Sequence, residues 1–180
     1  MPQFIALLRG INVGKAKRLP MADLRALLAG LGYEDVSTLL NSGNAIFRAA
    51  AGPSPAQHAQ AIVAAISAQL GLEVPVVVKS ARQLAAIVAE NSLAEQASAN
   101  PSQLLVVFSQ DRAVLSGLVD AVEPLIVAPE HLLLGSEAAY LHCARGILES
   151  KAGEALLGKG GMAVTSRNWA TVLKLQALLV

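Results

Sequence analysis

The feature that most constrains the fold is an order of predicted elements that occurs twice along the 180-residue chain. Residues 4–8 form an unbroken apolar run, which is typical of a strand buried in a sheet. A helix is predicted next, because Pro20 suits a first helical turn and leucines then recur at helical spacing up to Gly32. The chain therefore opens with a strand and a helix.

A hairpin follows this helix. Residues 36–40 and 45–47 are strand-like, and Asn41-Ser42-Gly43-Asn44 between them are residue types that tight turns prefer. The remaining elements of the first half are predicted at residues 55–70 (helix, ending at Gly71), 74–78 (strand) and 80–90 (linking helix). The first half thus reads βαββαβ.

The second half repeats this order and adds a helix. Its strands are predicted at residues 104–108, at 125–127 joined with 132–134 as one broken strand around Pro129, at 138–142 and at 162–165. Its helices are predicted at residues 113–122, 148–157 and 169–179. The two halves share no convincing residue-level identity, so the repeat is inferred from element order alone.

Two βαββαβ halves predict an α/β (α+β) fold with two ferredoxin-like units, antiparallel sheets and a C-terminal helix. We expect one half at residues 1–95, with the linking helix, and the other at 96–180. In a 4-1-3-2 strand order the end of the first strand and the hairpin turn lie at the same edge of the sheet. The motif that follows the last predicted strand would join them only if the halves pack in opposite senses.

Composition excludes several classes of protein. With 54% hydrophobic and 15% charged residues the chain is a compact globular protein rather than a disordered one. No apolar run reaches the ~18 to 20 residues of a membrane helix. The start lacks the features of a secretion signal, and a single cysteine, Cys143, forms no internal disulfide. We therefore expect a cytoplasmic protein without a membrane partner.

Charge is unevenly distributed although the net charge is only +1. Residues 1–82 carry eight basic and four acidic side chains, residues 83–137 one basic and seven acidic, and residues 138–180 five basic and two acidic. Solvated helix faces explain this pattern without any function. The alternative is that the two basic ends meet and form a surface that attracts anions.

The segment from Arg9 to Lys15 places glycines and cations directly after a buried strand, as phosphate-binding loops do. It is not a Walker A loop, which would need glycine in place of Arg9 and a hydroxyl residue in place of Ala16. Turn formation by the glycines explains the segment equally well. Near the other end, Arg167 and Asn168 precede the last helix, where Ser166 or Asn168 would cap exposed amides and Trp169 would belong to the core.

The candidate ligand-binding residues share polar or cationic side chains in these motifs, and they are Arg9, Asn12, Lys15, Asn41, Ser42, Asn44, Arg167 and Asn168. No residues have zinc-ligand spacing, and we expect no metal and no cofactor. No catalytic residues can be assigned, because His142 and Cys143 are adjacent on a predicted strand and point to opposite faces. Whether the chain is an enzyme is left open.

LLRGINVG at residues 7–14, SGN at 42–44 and RNW at 167–169 resemble the bacterial family called domain of unknown function 1697. The resemblance covers essentially the whole chain and implies an α/β fold of two ferredoxin-like halves, but no activity. The chain departs from the family where Lys15-Ala16-Lys17 replaces a more glycine-rich continuation, and where Ser166 replaces the more frequent threonine.

The polar motifs favour a protein that binds an anionic, phosphate-bearing small molecule. Nucleic-acid binding is an alternative suggested by the element order and the charge distribution, but the isoelectric point of about 7.9 is below that of a typical nucleic-acid-binding domain. A structural or protein-interaction module is a second alternative. The sequence leaves the oligomeric state and the ligand's identity open.

Overall fold

The computed structural model describes residues 1–158 and 163–179, which form two compact units. One unit is Met1–Arg82, which also includes the chain end from Leu178, and the other is Gln83–Ala177. The division falls near the start of the linking helix. The predicted division into residues 1–95 and 96–180, which keeps that helix with the first half, stays a prediction.

The first unit is a four-stranded antiparallel sheet with two helices. Its elements are β1 (Gln3–Leu8), α1 (Met21–Gly30), β2 (Glu34–Leu39), β3 (Asn44–Arg48), α2 (Pro55–Leu70) and β4 (Val76–Ser80). The strands lie in the order β2-β3-β1-β4, and every neighbouring pair is antiparallel. This is the ferredoxin-like 4-1-3-2 order predicted from the sequence.

The second unit repeats this arrangement. Its elements are α3 (Ala81–Glu90, which begins in the first unit), β5 (Leu104–Ser109), α4 (Arg112–Val122), β6 (His131–Leu134), β7 (Ala138–His142), α5 (Lys151–Leu157), β8 (Val164–Asn168) and α6 (Trp169–Leu178). The strand order β6-β7-β5-β8 is again 4-1-3-2, with antiparallel neighbours. The predicted fold class, including the C-terminal helix, is confirmed.

Two predicted strands were wrong in detail. The broken strand is only β6, because Glu123–Leu125 form a turn of 3₁₀ helix and Pro129, which lacks an amide hydrogen, precedes the pairing. The last strand continues to Asn168 because it pairs with β5 along five residues. Thr165 to Asn168 therefore lie on β8 and do not follow it as a loop. Of the strand predicted at 162–165, Met162 lies outside the described residues.

The predicted helix at residues 148–157 also begins later than expected. Ile147–Glu149 form a 3₁₀ turn, and α5 starts at Lys151. The reason is a cap: the Ser150 hydroxyl accepts a hydrogen bond of 3.0 Å from the amide of Gly153. The helix boundary is set by this capping residue rather than by the leucine spacing.

The core of the first unit lies between the sheet and its two helices. Helix α1 contributes buried leucines at positions 24, 27 and 28, and α2 contributes Ile62 and Ile66. These pack against Phe4, Leu8 and Phe47 on one face of the sheet. Burial of one such side chain stabilises the fold by about 1.5–3 kcal/mol, so this packing holds α1 against the sheet.

One end of this core is an aromatic cluster of Phe4, Tyr33, Phe47 and His58. Tyr33 stacks on Phe47 with ring centroids 4.3 Å apart, and the His58 ring lies 4.6 Å from that of Phe4. The Tyr33 hydroxyl and His58 Nδ1 are hydrogen-bonded at 2.9 Å. His58 is only 4% exposed, and its burial lowers the pKa of the imidazole, while burial raises the pKa of the Tyr33 phenol.

The first testable consequence concerns Gly43 in the hairpin turn. Its φ is +93°, and a Cβ there would lie 2.7 Å from Leu8 Cβ and 2.8 Å from Ile11 Cδ1. We expect Gly43→Ala to lower the free energy of unfolding by about 2 kcal/mol or more, measured by urea denaturation. Gly32→Ala is the matched control, because Gly32 has a φ of +83° but open space around it. An equal loss in both variants would contradict the steric argument.

The second consequence is a pH dependence of stability. The pKa of His58 is lower in the folded protein than its ordinary 6.5. As the pH falls, the unfolded chain therefore binds a proton on His58 more readily than the folded chain does. The contribution of neutral His58 to the free energy of unfolding is therefore complete above pH 6.5 and is lost as the pH falls below this value. Urea denaturation at pH 7.5 and at 5.5 should show a larger loss of stability for the native sequence than for His58→Gln, which keeps the other two histidines. Equal losses in the two proteins would show that His58 is not the source of the pH dependence.

Candidate functional site

The opening loop, residues 9–20, connects β1 to α1 and reverses direction at its tip. Val13 and Ala16 pair as an isolated antiparallel bridge, with Gly14 at a φ of 63° in the turn between them. The amide of Asn12 donates to the carbonyl of Lys17 at 3.1 Å, which closes the base of this turn. The loop holds four basic residues and no acidic one, so it carries a concentrated positive charge.

The Asn12 side chain fastens the loop. Its Oδ1 accepts from the amide of Leu19 and its Nδ2 donates to the carbonyl of Leu19, both at 2.8 Å. Nδ2 also donates to the carbonyl of Asn41 at 2.7 Å, and the amide of Leu8 donates to the carbonyl of Gly43 at 2.8 Å. The prediction that the opening loop and the hairpin turn are neighbours is therefore confirmed. One amide hydrogen of Asn12 thus closes the opening loop on itself at Leu19, and the other joins the loop to the hairpin turn.

A cavity of about 430 Å³, which we call the loop cavity, lies where these segments meet. The residues on its wall come from the opening loop, the start of α1 and the hairpin turn, and they are Asn12, Gly14, Arg18, Pro20, Met21 and Asn41. Arg18 is exposed and makes no hydrogen bond or ion pair with another described residue. The cavity thus combines the guanidinium of Arg18 with the exposed amide side chain of Asn41, a set suited to an anion.

The start of α1 adds to this electrostatic environment. No side chain caps the helix at Pro20, whose carbonyl accepts from the amides of Asp23 and Leu24. The positive end of the helix dipole therefore borders the cavity at Pro20 and Met21. Asp23 lies in the first helical turn but does not belong to the cavity wall as described.

The predicted ligand-binding residues of the first unit differ in whether they line the loop cavity. Asn12 and Asn41 are on the cavity wall, and Lys15 is exposed at the tip of the opening loop. Asn44 is fully buried; its Nδ2 donates to the carbonyl of Leu39 at 2.8 Å and to Ser42 Oγ at 3.1 Å. Ser42 and Asn44 thus organise the hairpin, and their contact with a ligand stays a prediction.

Arg9 and Arg18 show where sequence reasoning was incomplete. Arg9 is half-buried, and its amide donates to the carbonyl of Pro75 at 3.0 Å; its side chain is not on the cavity wall as described. Arg18 is on that wall but is not among the predicted residues, because the predicted phosphate-binding segment ends at Lys15. The available signal was its position two residues before Pro20, the residue that precedes α1.

Arg167 and Asn168 belong to the second unit. Arg167 is 8% exposed, and its Nη1 donates to Thr165 Oγ1 at 2.8 Å and to the carbonyl of Ser166 at 2.7 Å. Burial lowers the pKa of its guanidinium to about 10, so it remains charged at neutral pH. Asn168 Oδ1 accepts from the amide of Thr171 at 2.9 Å and caps α6. The roles of both residues toward a ligand stay predictions.

Trp169 is buried, which confirms its predicted place in the core. The cysteine is also a core residue: Cys143 is buried, and burial raises the pKa of its thiol, which disfavours the reactive thiolate. Within residues 1–158 and 163–179, no three His, Cys, Asp or Glu side chains are grouped as metal ligands would be. In the same residues no helix has the length and apolar character needed to cross a membrane.

Comparisons with known proteins agree with this architecture. A solved structure of a conserved bacterial protein from Streptococcus pneumoniae superposes with a TM-score of 0.77 at 21% sequence identity, covering 99% of each chain. At this identity the likeness concerns the fold. No curated protein matches the sequence at a significant level. A family model described as a protein of unknown function, DUF1697, matches residues 1–140. The chain belongs to this family.

Proposed function

We propose that the chain is a cytoplasmic binding protein whose loop cavity takes an anionic, phosphate-bearing small molecule. The observation that carries the proposal is the position of Arg18 on the wall of a cavity that also borders the start of α1. A guanidinium and the amides of a helix start both favour a phosphate group. The single cysteine, buried and without a disulfide, is compatible with a reducing compartment.

The cavity's size supports a small ligand. Its volume of about 430 Å³ falls within the ~300–1,000 Å³ typical of small-molecule sites. One phosphate fills only part of this space, so the remainder accommodates the group that carries the phosphate. Met21 provides an apolar surface on the wall for that group.

The residues of the loop cavity divide into binding and positioning groups. Arg18 is the binding cation, and the exposed Asn41 side chain is available as a second donor from the hairpin turn. Asn12 positions both segments through its bonds to Leu19 and Asn41. Lys15 at the loop tip raises the positive potential through which an anion approaches.

The aromatic residues favour a small ligand over single-stranded nucleic acid. Sequence-tolerant recognition of single strands uses exposed aromatic rings on which bases stack. All six aromatic residues of this chain are less than 10% exposed: Phe4, Tyr33, Phe47, Phe108, Tyr140 and Trp169. The basic opening loop therefore has no exposed aromatic partner in either unit.

The test is a thermal-shift and calorimetric titration with sodium phosphate and with adenosine 5′-monophosphate at constant ionic strength. A ligand that binds the folded protein raises the melting temperature by mass action. We expect Arg18→Ala to weaken binding about tenfold or more, the usual loss when a charge-assisted hydrogen bond is removed. Arg25→Ala is the matched control, because Arg25 is exposed on α1 and bonds to Thr38 Oγ1 instead of lining the cavity.

Three results would overturn the proposal. One is no stabilisation by either phosphate compound. Another is equal weakening by Arg18→Ala and Arg25→Ala, which would mean that only overall charge matters. The third is tighter binding of a single-stranded oligonucleotide than of the monophosphate, with a steep dependence on salt, which would favour the nucleic-acid alternative.

A further inference from the structure

The first unit holds a second cavity, of about 390 Å³, which we call the ring cavity. Its wall is formed by the turn after α1, the residues after β3 and the first turns of α2, and it consists of Leu31, Gly32, Tyr33, Ala49, Ala50, Pro53, Gln57, His58 and Ala61. It shares no wall residue with the loop cavity. An inference drawn from it is therefore independent of the phosphate proposal.

One side of the ring cavity is rigid and aromatic. Tyr33 and His58 belong to the aromatic cluster, in which Tyr33 is stacked on Phe47 and hydrogen-bonded to His58. Both side chains are at least nine-tenths buried, so their orientations are fixed before any ligand arrives. A wall of this kind binds a flat ligand without a further loss of side-chain entropy.

The other side is made of small side chains. Gly32, Ala49, Ala50 and Ala61 leave open the space in front of the aromatic wall. For Gly32, a Cβ would meet nothing within 4 Å. A flat molecule can therefore approach Tyr33 without displacing a large side chain.

The wall carries no net charge. None of its nine residues is Asp, Glu, Lys or Arg. Burial raises the pKa of Tyr33 and lowers that of His58, so both are neutral at pH 7. The cavity also borders two helix ends of opposite partial charge, the end of α1 at Leu31 and the start of α2, where Ser54 and Gln57 form a capping box. Neither an anion nor a cation is favoured by this environment.

Two polar groups at this wall have no hydrogen-bond partner among the described residues. One is His58 Nε2, which is buried. The other is the amide nitrogen of Gln57, an exposed side chain whose oxygen accepts from the amide of Ser54 at 2.8 Å. A ligand with one or two polar atoms on a flat apolar body matches this combination.

We propose that the ring cavity binds a neutral aromatic ring compound, which lies against the Tyr33–His58 wall. The Gln57 amide donates to its polar atom. The neutral wall selects against charged derivatives of the same ring, because a charge would lose its hydration without gaining a partner. The site is separate from the proposed phosphate site, and its ligand is neutral and aromatic rather than anionic.

The test uses three probes that share one ring: benzyl alcohol (neutral), benzoate (anionic) and benzylamine (cationic). Nuclear magnetic resonance titration of the unmodified chain follows the ring signals of His58 and Tyr33, which are few enough to assign with three histidines and two tyrosines present. We expect benzyl alcohol to shift both signals, and to bind at least about threefold tighter than either charged probe.

Ala61→Leu supplies the variant test, because a leucine side chain there fills the ring cavity. We expect binding of benzyl alcohol to weaken about tenfold or more. Ala64→Leu, the same substitution at an exposed site on α2 outside the cavity wall, is the matched control and should bind as the unmodified chain does. Ala50→Leu, at an exposed position of the wall, repeats the test should Ala61→Leu fail to fold.

Three outcomes would overturn the inference. The first is that benzyl alcohol shifts neither His58 nor Tyr33 up to its solubility limit. The second is that Ala61→Leu or Ala50→Leu binds as Ala64→Leu does. The third is that a charged probe binds as well as the neutral one. In the first two cases the cavity is a packing gap beside the aromatic cluster, and in the third it is a site without the proposed preference for a neutral ring.

Discussion

The attachment of the opening loop to the hairpin turn is the interaction on which the candidate site depends. A twelve-residue loop without regular structure must satisfy its backbone polar groups or leave them in water. Asn12 does this with one side chain, which bonds to both backbone groups of Leu19 and to the carbonyl of Asn41. Its φ of 55° is tolerated more readily by asparagine than by most other residues. Gly43 permits the close approach on the other side, where a side chain would meet Leu8 and Ile11.

Helix α1 lies between the loop cavity and the ring cavity. It has ten residues and is therefore about 15 Å long. Its start borders the loop cavity at Pro20 and Met21, and its end borders the ring cavity at Leu31. The helix dipole is positive at the first cavity and negative at the second. The start of α1 thus attracts anions to the loop cavity. At the ring cavity the negative end of α1 and the positive start of α2 offset each other, so neither sign of charge is favoured.

The architecture was predictable because most of its elements have a local signature. Leucine spacing identified α1, Gly71 marked the end of α2, and the Asn-Ser-Gly-Asn turn identified the hairpin. The end of β8 was not predictable in this way, since Thr165 to Asn168 have the composition of a loop and are extended because they pair with β5. Long-range pairing overrides local preference at such positions.

The candidate site was predictable only in part for a similar reason. Strand order brings the opening loop to the hairpin turn, so Asn12 and Asn41 were found from the sequence. Arg18 reaches the cavity because the chain turns back between Val13 and Ala16. This turn includes an isolated bridge between these two residues, and no sequence motif predicts that bridge. The sequence identified asparagines as ligand donors, whereas Asn12 and Asn44 chiefly satisfy backbone carbonyls.

Burial changes which of the basic residues contribute to the surface charge. Lys79 and Arg167 are only 3% and 8% exposed, so two of the cations counted in the basic ends are not on the surface. Burial of a cation costs several kcal/mol unless hydrogen bonds compensate, and Arg167 obtains two of them from its own strand. Lys15 and Arg18, in contrast, are exposed within one loop that has no acidic residue. The positive potential of the first unit is therefore concentrated at the opening loop, beside the loop cavity, rather than spread over a basic half.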